Sequence, residues 1–401
     1  MTDTQNRVAT GKPATVGLLL ALTLLSVFPI DVVLPSFPAL SEHFDSSSSD
    51  IALSVSLFAV GIALSQLLVG PLSDVMGRKK LLLIGITVSA IGATGCVLAD
   101  GYWSFLFFRV VQALGCGCFV LAQALIQDLF SAREQQRLRI FLVTCGGIFI
   151  SLSPLAGTGL QSWMGWRGSF LVFIGLAIAV WVGAALLLKH TATVGQPRRL
   201  DYIAAYSKVC SDFSFMAYWL TSALAFSCHF SFIVISPLIL IDQLHLSPEA
   251  FSLALLGYGL AYIGGGAVAS VLSNRIDSQT QIITGLCLIL AAGVLMLLLA
   301  SRLGLSVTTL LLPMIVCTAG TTIARAAAHT RAMNIFPDQA GTSASAGSVL
   351  IFIVGGLASA TLSLTPLALQ TTLALNLISL SLLGLALNAL VRRRHRVLLA
   401  G

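Results

Sequence analysis

Residues 51–80 decide the fold, and they read IALSVSLFAVGIALSQLLVGPLSDVMGRKK. The first part of this stretch, 51–71, has no charged side chain, and roughly 20 apolar residues suffice for a helix to cross the hydrocarbon core of a bilayer. Charges follow at once, with Asp74 and then three basic residues at 78–80. An apolar run that ends in a basic loop is typical of a transmembrane helix that ends at the cytoplasmic face.

The composition of the whole chain favours the same class of protein. The chain has 401 residues, of which 57% are hydrophobic and 9% are charged, and its mean hydropathy is +0.96. Soluble globular proteins carry about 25% charged residues, so this chain lacks the charge for a water-facing surface, and its hydrophobic content excludes disorder. Backbone groups in lipid must be paired, and long continuous apolar runs favour helices over a β-barrel.

We therefore predict an all-α polytopic membrane protein with twelve transmembrane helices in two six-helix pseudo-repeats. The first apolar run contains Asp31 and is interpreted as an uncleaved span rather than a signal peptide. The predicted domains are an N-terminal half at 1–190, a cytoplasmic central loop at 191–212 and a C-terminal half at 213–401, as in duplicated transporters. The predicted spans lie at 15–39, 51–71, 81–99, 103–127, 140–160, 168–189, 213–240, 250–272, 281–300, 306–328, 341–363 and 367–391.

The lysines and arginines of the loops set the predicted orientation. With both termini in the cytoplasm, 19 of the 22 basic residues fall on the inner side, Arg325 included. Arg167 and Arg302 fall outside, and Arg109 lies within a span. Orientation and contact with lipid headgroups explain the net charge of +7, so no nucleic-acid partner is expected.

The loop after the second span has a distinctive spacing of small and charged residues. Gly70 permits close helix packing, Gly77 permits an unusual backbone turn, and Asp74 can bond to nearby backbone or to Arg78. A plain basic inner loop would explain the three basic residues but not this spacing. The loop resembles the signature G-x-x-x-D-x-x-G-R-K-x of the major facilitator superfamily, and the resemblance extends over the whole chain.

The resemblance implies a function for this loop. In that superfamily the loop acts as a conformational latch, with its Asp and Arg working against the end of the fourth span. Asp128 lies at that end of the span here. The implied latch, which biases the conformational state without contacting substrate, consists of Gly70, Asp74, Gly77, Arg78 and Asp128.

Ionisable groups at bilayer depth are costly and are functional candidates by default. Arg109 lies about 9 Å from the outer start of the fourth span, and Asp31 about 12 Å from the outer end of the first. We expect an ion pair between them that protonation of Asp31 would break, which would couple protons to a conformational change. The alternatives are a fixed structural pair and an Arg109 side chain that extends to the headgroups.

The sequence around these charges resembles the Bcr/CflA-type drug:proton antiporters of bacterial inner membranes. Residues 31–38, DVVLPSFP, match the D-x-x-L-P-x-x-P of that group, and residues 109–117, RVVQALGCG, resemble its R-x-x-Q-A/G-x-G-x-G. The resemblance implies that Arg109 and Gln112 take part in proton transfer. On a continuous helix Gln123 would lie about 20° from Gln112, which predicts one polar stripe that faces a cavity.

The seventh span contains His229, which could carry a proton or bind a carboxylate substrate. The alternative is a neutral histidine bonded to a neighbouring backbone carbonyl. Aromatic residues of the C-terminal half could line a substrate cavity, and Phe226 and Tyr258 are our candidates there.

The fifth span carries a degenerate form of the antiporter motif G-P-x-x-G-G. Residues 153–158 read SPLAGT, so Pro154 and Gly157 remain while two glycines are replaced. We expect a proline kink and close helix packing at this point. The motif therefore gives moderate support to export.

These features predict a proton-coupled secondary transporter that exports a small organic molecule by alternating access. The cargo is a drug-like compound or an endogenous metabolite such as a siderophore, and a proton-coupled importer is a less favoured alternative. An enzyme is disfavoured because the sequence shows no catalytic or metal-binding motif and no nucleotide-binding loop. No cofactor or metal is expected, the cysteines are interpreted as packing residues, and a monomer is expected.

Overall fold

The structure is a computed structural model that describes residues 12–188, 199–273, 275–336, 340–365 and 368–400. A few side chains inside these ranges, including that of Asp74, lie outside the description. In chain order the helices α1 to α15 are Lys12–Asp31, Phe37–Phe44, Ser48–Met76, Arg78–Leu98, Tyr102–Cys116, Leu121–Leu129, Ala132–Met164, Arg167–Leu187, Arg199–Ser211, Phe213–Pro237, Pro248–Ser273, Ser278–Leu303, Val307–Met333, Ala340–Ser363 and Leu369–Ala400.

Long apolar helices dominate the described residues. By length and composition, 11 helical segments of the described chain can cross a membrane. The predicted fifth span, 140–160, lies inside the 33-residue helix α7, several of whose side chains are outside the description. The prediction of an all-α polytopic fold is confirmed.

Two of the predicted spans are interrupted. The first is not one helix, because α1 ends at Asp31 and a 3₁₀ turn at Leu34–Ser36 leads into α2. Pro35 accounts for the break, since it has no N–H for the helical hydrogen bond, whereas Pro38 lies in the first turn of α2, where a missing N–H is tolerated. The fourth span is divided by a 3₁₀ segment at Gly117–Val120.

The central stretch also differs from the prediction of a loop at 191–212. Its second part, Arg199–Ser211, forms the helix α9, while 189–198 lie outside the described residues.

Contacts divide the chain into two compact units. We call residues 1–45 and 64–197 the first unit, and residues 46–63 and 198–401 the second unit. The division differs from the predicted halves at 46–63, the N-terminal part of α3. Within the second unit the hydroxyls of Ser56 and Ser359 are 2.8 Å apart, and a Cβ on Gly356 would lie 2.7 Å from a methyl of Val60. Small residues on α14 thus let this part of α3 pack closely against it.

Glycines also bring helices together inside each unit. In the first, a Cβ on Gly92 of α4 would lie 2.3 Å from the backbone nitrogen of Gln112 on α5. In the second, a Cβ on Gly285 of α12 would lie 2.6 Å from the backbone nitrogen of Ala324 on α13. Membrane helices commonly associate by such close approach at small residues. The contact at Gly92 holds the backbone of Gln112 against α4.

Candidate functional site

Asp31 is the last residue of α1 and is buried, with 7% of its surface exposed. A helix end leaves its last carbonyl groups without intrahelical partners. The break after Asp31 therefore places a carboxyl group beside backbone carbonyl oxygens that side chains can reach, at one point inside a membrane span.

Arg109 reaches this point from α5 and is 1% exposed. Its Nη2 donates to the carbonyl oxygen of Pro29 at 3.0 Å, and its Nη1 donates to Oε1 of Gln112 at 2.8 Å. A cation is favourable at the C-terminal end of a helix, where the carbonyls give the helix dipole its negative end. Arg109 thus caps α1.

The expected ion pair is not formed in this structure. Among the described residues no ion pair joins Asp31 to Arg109. Counting residues along the spans predicted similar depths for Asp31 and Arg109. It could not predict that α1 ends at Asp31, where the carbonyl of Pro29, two residues earlier, binds Arg109. The alternative of an Arg109 side chain that extends to the headgroups is not observed either, because Arg109 is buried.

The antiporter-motif residue Gly157 packs against the same break. A Cβ on Gly157 would lie 2.3 Å from the carbonyl oxygen of Val32 and 3.1 Å from the ring of Pro35. The hydroxyl of Ser169 on α8 donates to the same carbonyl at 3.4 Å. The close packing expected at Gly157 is therefore found against the turn that follows Asp31. Helix α7 continues through Pro154, and the kink stays a prediction.

The predicted polar stripe on the fourth span is not continuous. Gln112 is 1% exposed and accepts from Arg109, whereas Gln123 lies on α6 and is exposed. The expected angle of about 20° assumed 3.6 residues per turn, and the four-residue 3₁₀ segment between them has about 3.0. This segment changes the direction in which Gln123 points.

The predicted latch is a tight turn between α3 and α4. Gly77 has φ 84°, which favours glycine, and it directly precedes Arg78, the first residue of α4. Arg78 Nη1 lies 2.6 Å from Asp128 Oδ2 and also donates to the carbonyl oxygen of Ala124. Gly70 lies within α3, and the side chain of Asp74 is outside the description, so its part in the latch stays a prediction.

Lys79, the next residue of the motif, makes a contact that the sequence did not indicate. Its Nζ donates to the carbonyl oxygens of Ala185 at 2.6 Å and Leu188 at 2.5 Å, at the end of α8. A lysine at a helix C-terminus satisfies free carbonyls and complements the dipole. The loop is therefore anchored to the ends of both α6 and α8.

In the second unit, the three candidates Phe226, His229 and Tyr258 lie together. The Nδ1 of His229 is 2.6 Å from the hydroxyl of Tyr258, and their rings stack with centroids 5.4 Å apart. The ring of Phe226 is 6.3 Å from that of His229. The histidine is thus positioned by a tyrosine rather than by the backbone carbonyl of the alternative interpretation.

Arg325 adds a cation to this cluster. From the sequence we counted it among the loop residues, and that assignment was wrong. Arg325 lies within α13, its Nη1 donates to the hydroxyl of Tyr262 at 3.2 Å, and its guanidinium is 4.8 Å from the ring centre of Phe226. Tyr262 in turn lies 4.8 Å from His229. The available signal was that the predicted tenth span, 306–328, already contained Arg325.

The second unit also has a counterpart of the latch pair. Asp277 precedes α12 and lies 4.0 Å from Arg331 near the end of α13. Hydrogen bonds from the hydroxyl and backbone of Thr280 lower the pKa of Asp277 the most, and Arg331 contributes the least. This acid is stabilised mainly by its own helix end.

Residues 19–359 match the Major Facilitator Superfamily. The chain belongs to that superfamily. The matched residues lie in both units. The match and the apolar helices together indicate a multi-pass protein of the inner membrane.

Several superfamily proteins are similar to this chain. YdgK of Bacillus subtilis, an uncharacterized MFS-type transporter, is 29% identical over 62% of this chain and 63% of its own length. The chloramphenicol resistance protein CraA of Acinetobacter baumannii is 27% identical over 67% and 65%. The matches thus span less than two thirds of these two relatives. The multidrug resistance protein MdtL of Klebsiella pneumoniae is 24% identical over 81% and 82%.

Solved structures of the superfamily share the fold. The structure of a bacterial homolog of the human lysosomal transporter Spinster has a TM-score of 0.71 at 16% identity, covering 94% of this chain and 96% of its own. This similarity concerns the fold alone. It agrees with the predicted superfamily architecture.

Proposed function

We propose that the protein exports a small organic molecule in exchange for protons, with Asp31 as the proton carrier. The observation that carries this proposal is the placement of a buried acid at a break in a membrane span, beside a buried arginine. Ionisable residues at this depth are rare in membrane proteins and mark proton and substrate routes. The resemblance of 31–38 and 109–117 to Bcr/CflA-type antiporters supports the same roles for Asp31, Arg109 and Gln112.

The coupling step we propose is a change of partner by Arg109. In this proposal, the observed bond between Arg109 and the carbonyl of Pro29 belongs to the state in which Asp31 is neutral. When Asp31 loses its proton, the carboxylate competes for the guanidinium, because a charged acceptor binds it more strongly than a carbonyl does. Moving Arg109 would release the end of α1 and so bias the two states of an alternating-access cycle.

The direction of transport and the cargo class are part of this proposal. Relatives are named for resistance to chloramphenicol and to multiple drugs, which supports efflux of drug-like compounds. Export of a siderophore or another endogenous metabolite is the second candidate, and proton-coupled import is the third. The excess of basic residues in the predicted inner loops supports cytoplasmic termini.

Transport into everted vesicles tests the proposal. We expect proton-driven accumulation of chloramphenicol in wild-type vesicles and none with Asp31→Asn, at equal amounts of protein in the membrane. Asp100→Asn is the matched control, because Asp100 is an exposed acid of the same unit. Retained accumulation with Asp31→Asn would exclude Asp31 as the carrier, and accumulation in the opposite direction would indicate import.

A further inference from the structure

Among the described residues of the second unit, Arg325 is the charged side chain that lies farthest from the end of a candidate membrane span. It lies eight residues before the end of α13, about 12 Å along the helix axis. On the candidate spans of this unit, among the described residues, every other Lys, Arg, Asp or Glu lies within two residues of a span end. A cation at this depth is costly and calls for a partner.

The described residues supply Arg325 with no counter-ion. None of their carboxylates lies within 4.0 Å of its guanidinium. A guanidinium has five N–H donors, and the hydroxyl of Tyr262 takes one of them at 3.2 Å. The side chain is partly exposed, so other donors are accessible to a ligand.

One aromatic ring lies against this cation, and the ring of its hydrogen-bond partner contacts a histidine. The ring of Phe226 lies beneath the guanidinium, and the rings of Tyr262 and His229 are 4.8 Å apart. His229 uses Nδ1 toward Tyr258, which leaves Nε2 for another contact. The second unit therefore presents a cation with accessible donors beside several aromatic faces.

We propose that Arg325, Tyr262 and His229 form a subsite for an organic anion, specifically a carboxylate attached to an aromatic ring. Two N–H groups of the guanidinium match the two oxygens of a carboxylate, and the cargo's ring stacks on the neighbouring rings. The anion supplies the counter-charge that Arg325 lacks. The inference rests on the proposed function, because it names the cargo class of the same transporter.

Equilibrium dialysis of the detergent-solubilised full-length protein tests this subsite with two probes, 2-naphthoate and its neutral analogue 2-naphthamide. We expect the wild type to bind naphthoate roughly 10- to 100-fold more tightly than naphthamide, as a charge-assisted contact provides. Arg325→Gln should lower naphthoate affinity to that of naphthamide and leave naphthamide affinity unchanged. Arg325→Lys, which keeps the charge but not the two-pronged geometry, should give an intermediate loss.

Arg302→Gln is the control, because Arg302 is an exposed arginine at the end of α12. Equal affinity of the wild type for the two probes, or binding of neither, would overturn the subsite. The subsite would also be overturned if Arg325→Gln and Arg325→Lys each lowered the affinities for the two probes by the same factor. The same holds if Arg302→Gln lowered naphthoate affinity as much as Arg325→Gln does. Binding of naphthoate is measured without a proton gradient, so it can persist where export in vesicles fails, and the two proposals are separable.

Discussion

In the first unit, the guanidinium of Arg109 is 1% exposed and is bound to a backbone carbonyl and to Gln112. In the second unit, Arg325 is partly exposed and its guanidinium lies over the ring of Phe226, with one tyrosine hydroxyl as its acceptor. The first arrangement closes the cation off inside the protein, and the second leaves donors that a ligand can reach. We infer that the first unit contributes the coupling and the second the recognition of cargo.

The Arg–Asp pairs at the helix ends also differ between the units, with the closer and less exposed pair in the first unit. Arg78 and Asp128 are 2.6 Å apart with 23% and 28% of their side chains exposed, while Arg331 and Asp277 are 4.0 Å apart with 37% and 62% exposed. Arg78 begins a helix and Asp128 lies near the end of one, so each opposes the local dipole and depends on the other. Asp277 and Arg331 sit at the helix ends that favour them.

The largest effect should follow from Arg109→Gln. The substitution removes the cation that caps α1 and leaves the carbonyl of Pro29 without it, so we expect proton-driven export to fall by about 100-fold, as loss of a buried charged contact does. The measurement is the initial rate of efflux in vesicles. Arg167→Gln is the control, because Arg167 also donates to a carbonyl, that of Val97, but at a more exposed site; an equal loss there would contradict the special role of Arg109.

Gly157→Ala should disturb the break after Asp31. Its new Cβ would lie 2.3 Å from the carbonyl oxygen of Val32, and overpacking of this kind costs about 1–3 kcal/mol. We expect a lower thermal unfolding temperature and slower export. Gly159→Ala on the same helix has nothing within 4 Å of its Cβ and should be neutral or stabilising. Equal effects of the two substitutions would show that the contact with Val32 is not important.

Asp128→Asn and Asp277→Asn compare the two pairs directly. Asp128→Asn leaves Arg78 at the positive end of α4 without its acid, so we expect turnover to fall by about 5-fold with the range of exported compounds unchanged. Asp277→Asn keeps a good helix cap and should change turnover by less than about 2-fold. A change of substrate profile in Asp128→Asn would argue against a latch.

Tyr258→Phe in the second unit should change the affinity for cargo and not the maximal rate. This substitution removes only the hydroxyl that positions His229, and a neutral hydrogen bond contributes about 1 kcal/mol. We expect the apparent KM for cargo to rise about 5-fold while the maximal rate stays constant. A fall in the maximal rate at constant KM would instead place His229 in the coupling step.

The sequence predicted the fold, and it marked candidate functional residues without indicating their contacts. Asp31, Arg109 and His229 were recognisable because charges and histidines are rare in apolar runs. The partner of Arg109 was not predictable, since it is a backbone carbonyl exposed by a helix break. The spacing gave no indication of the 3₁₀ segment before Gln123, and Arg325 was counted among the basic residues of the predicted loops.

The measurement that tests proton coupling most directly is proton release from the purified protein. In lightly buffered detergent solution, addition of chloramphenicol to the wild type should release protons, which a pH indicator dye records. Asp31→Asn should bind the compound and release none, while Asp100→Asn should behave as the wild type. Equal release from Asp31→Asn and wild type would contradict the assignment of Asp31 as the proton carrier.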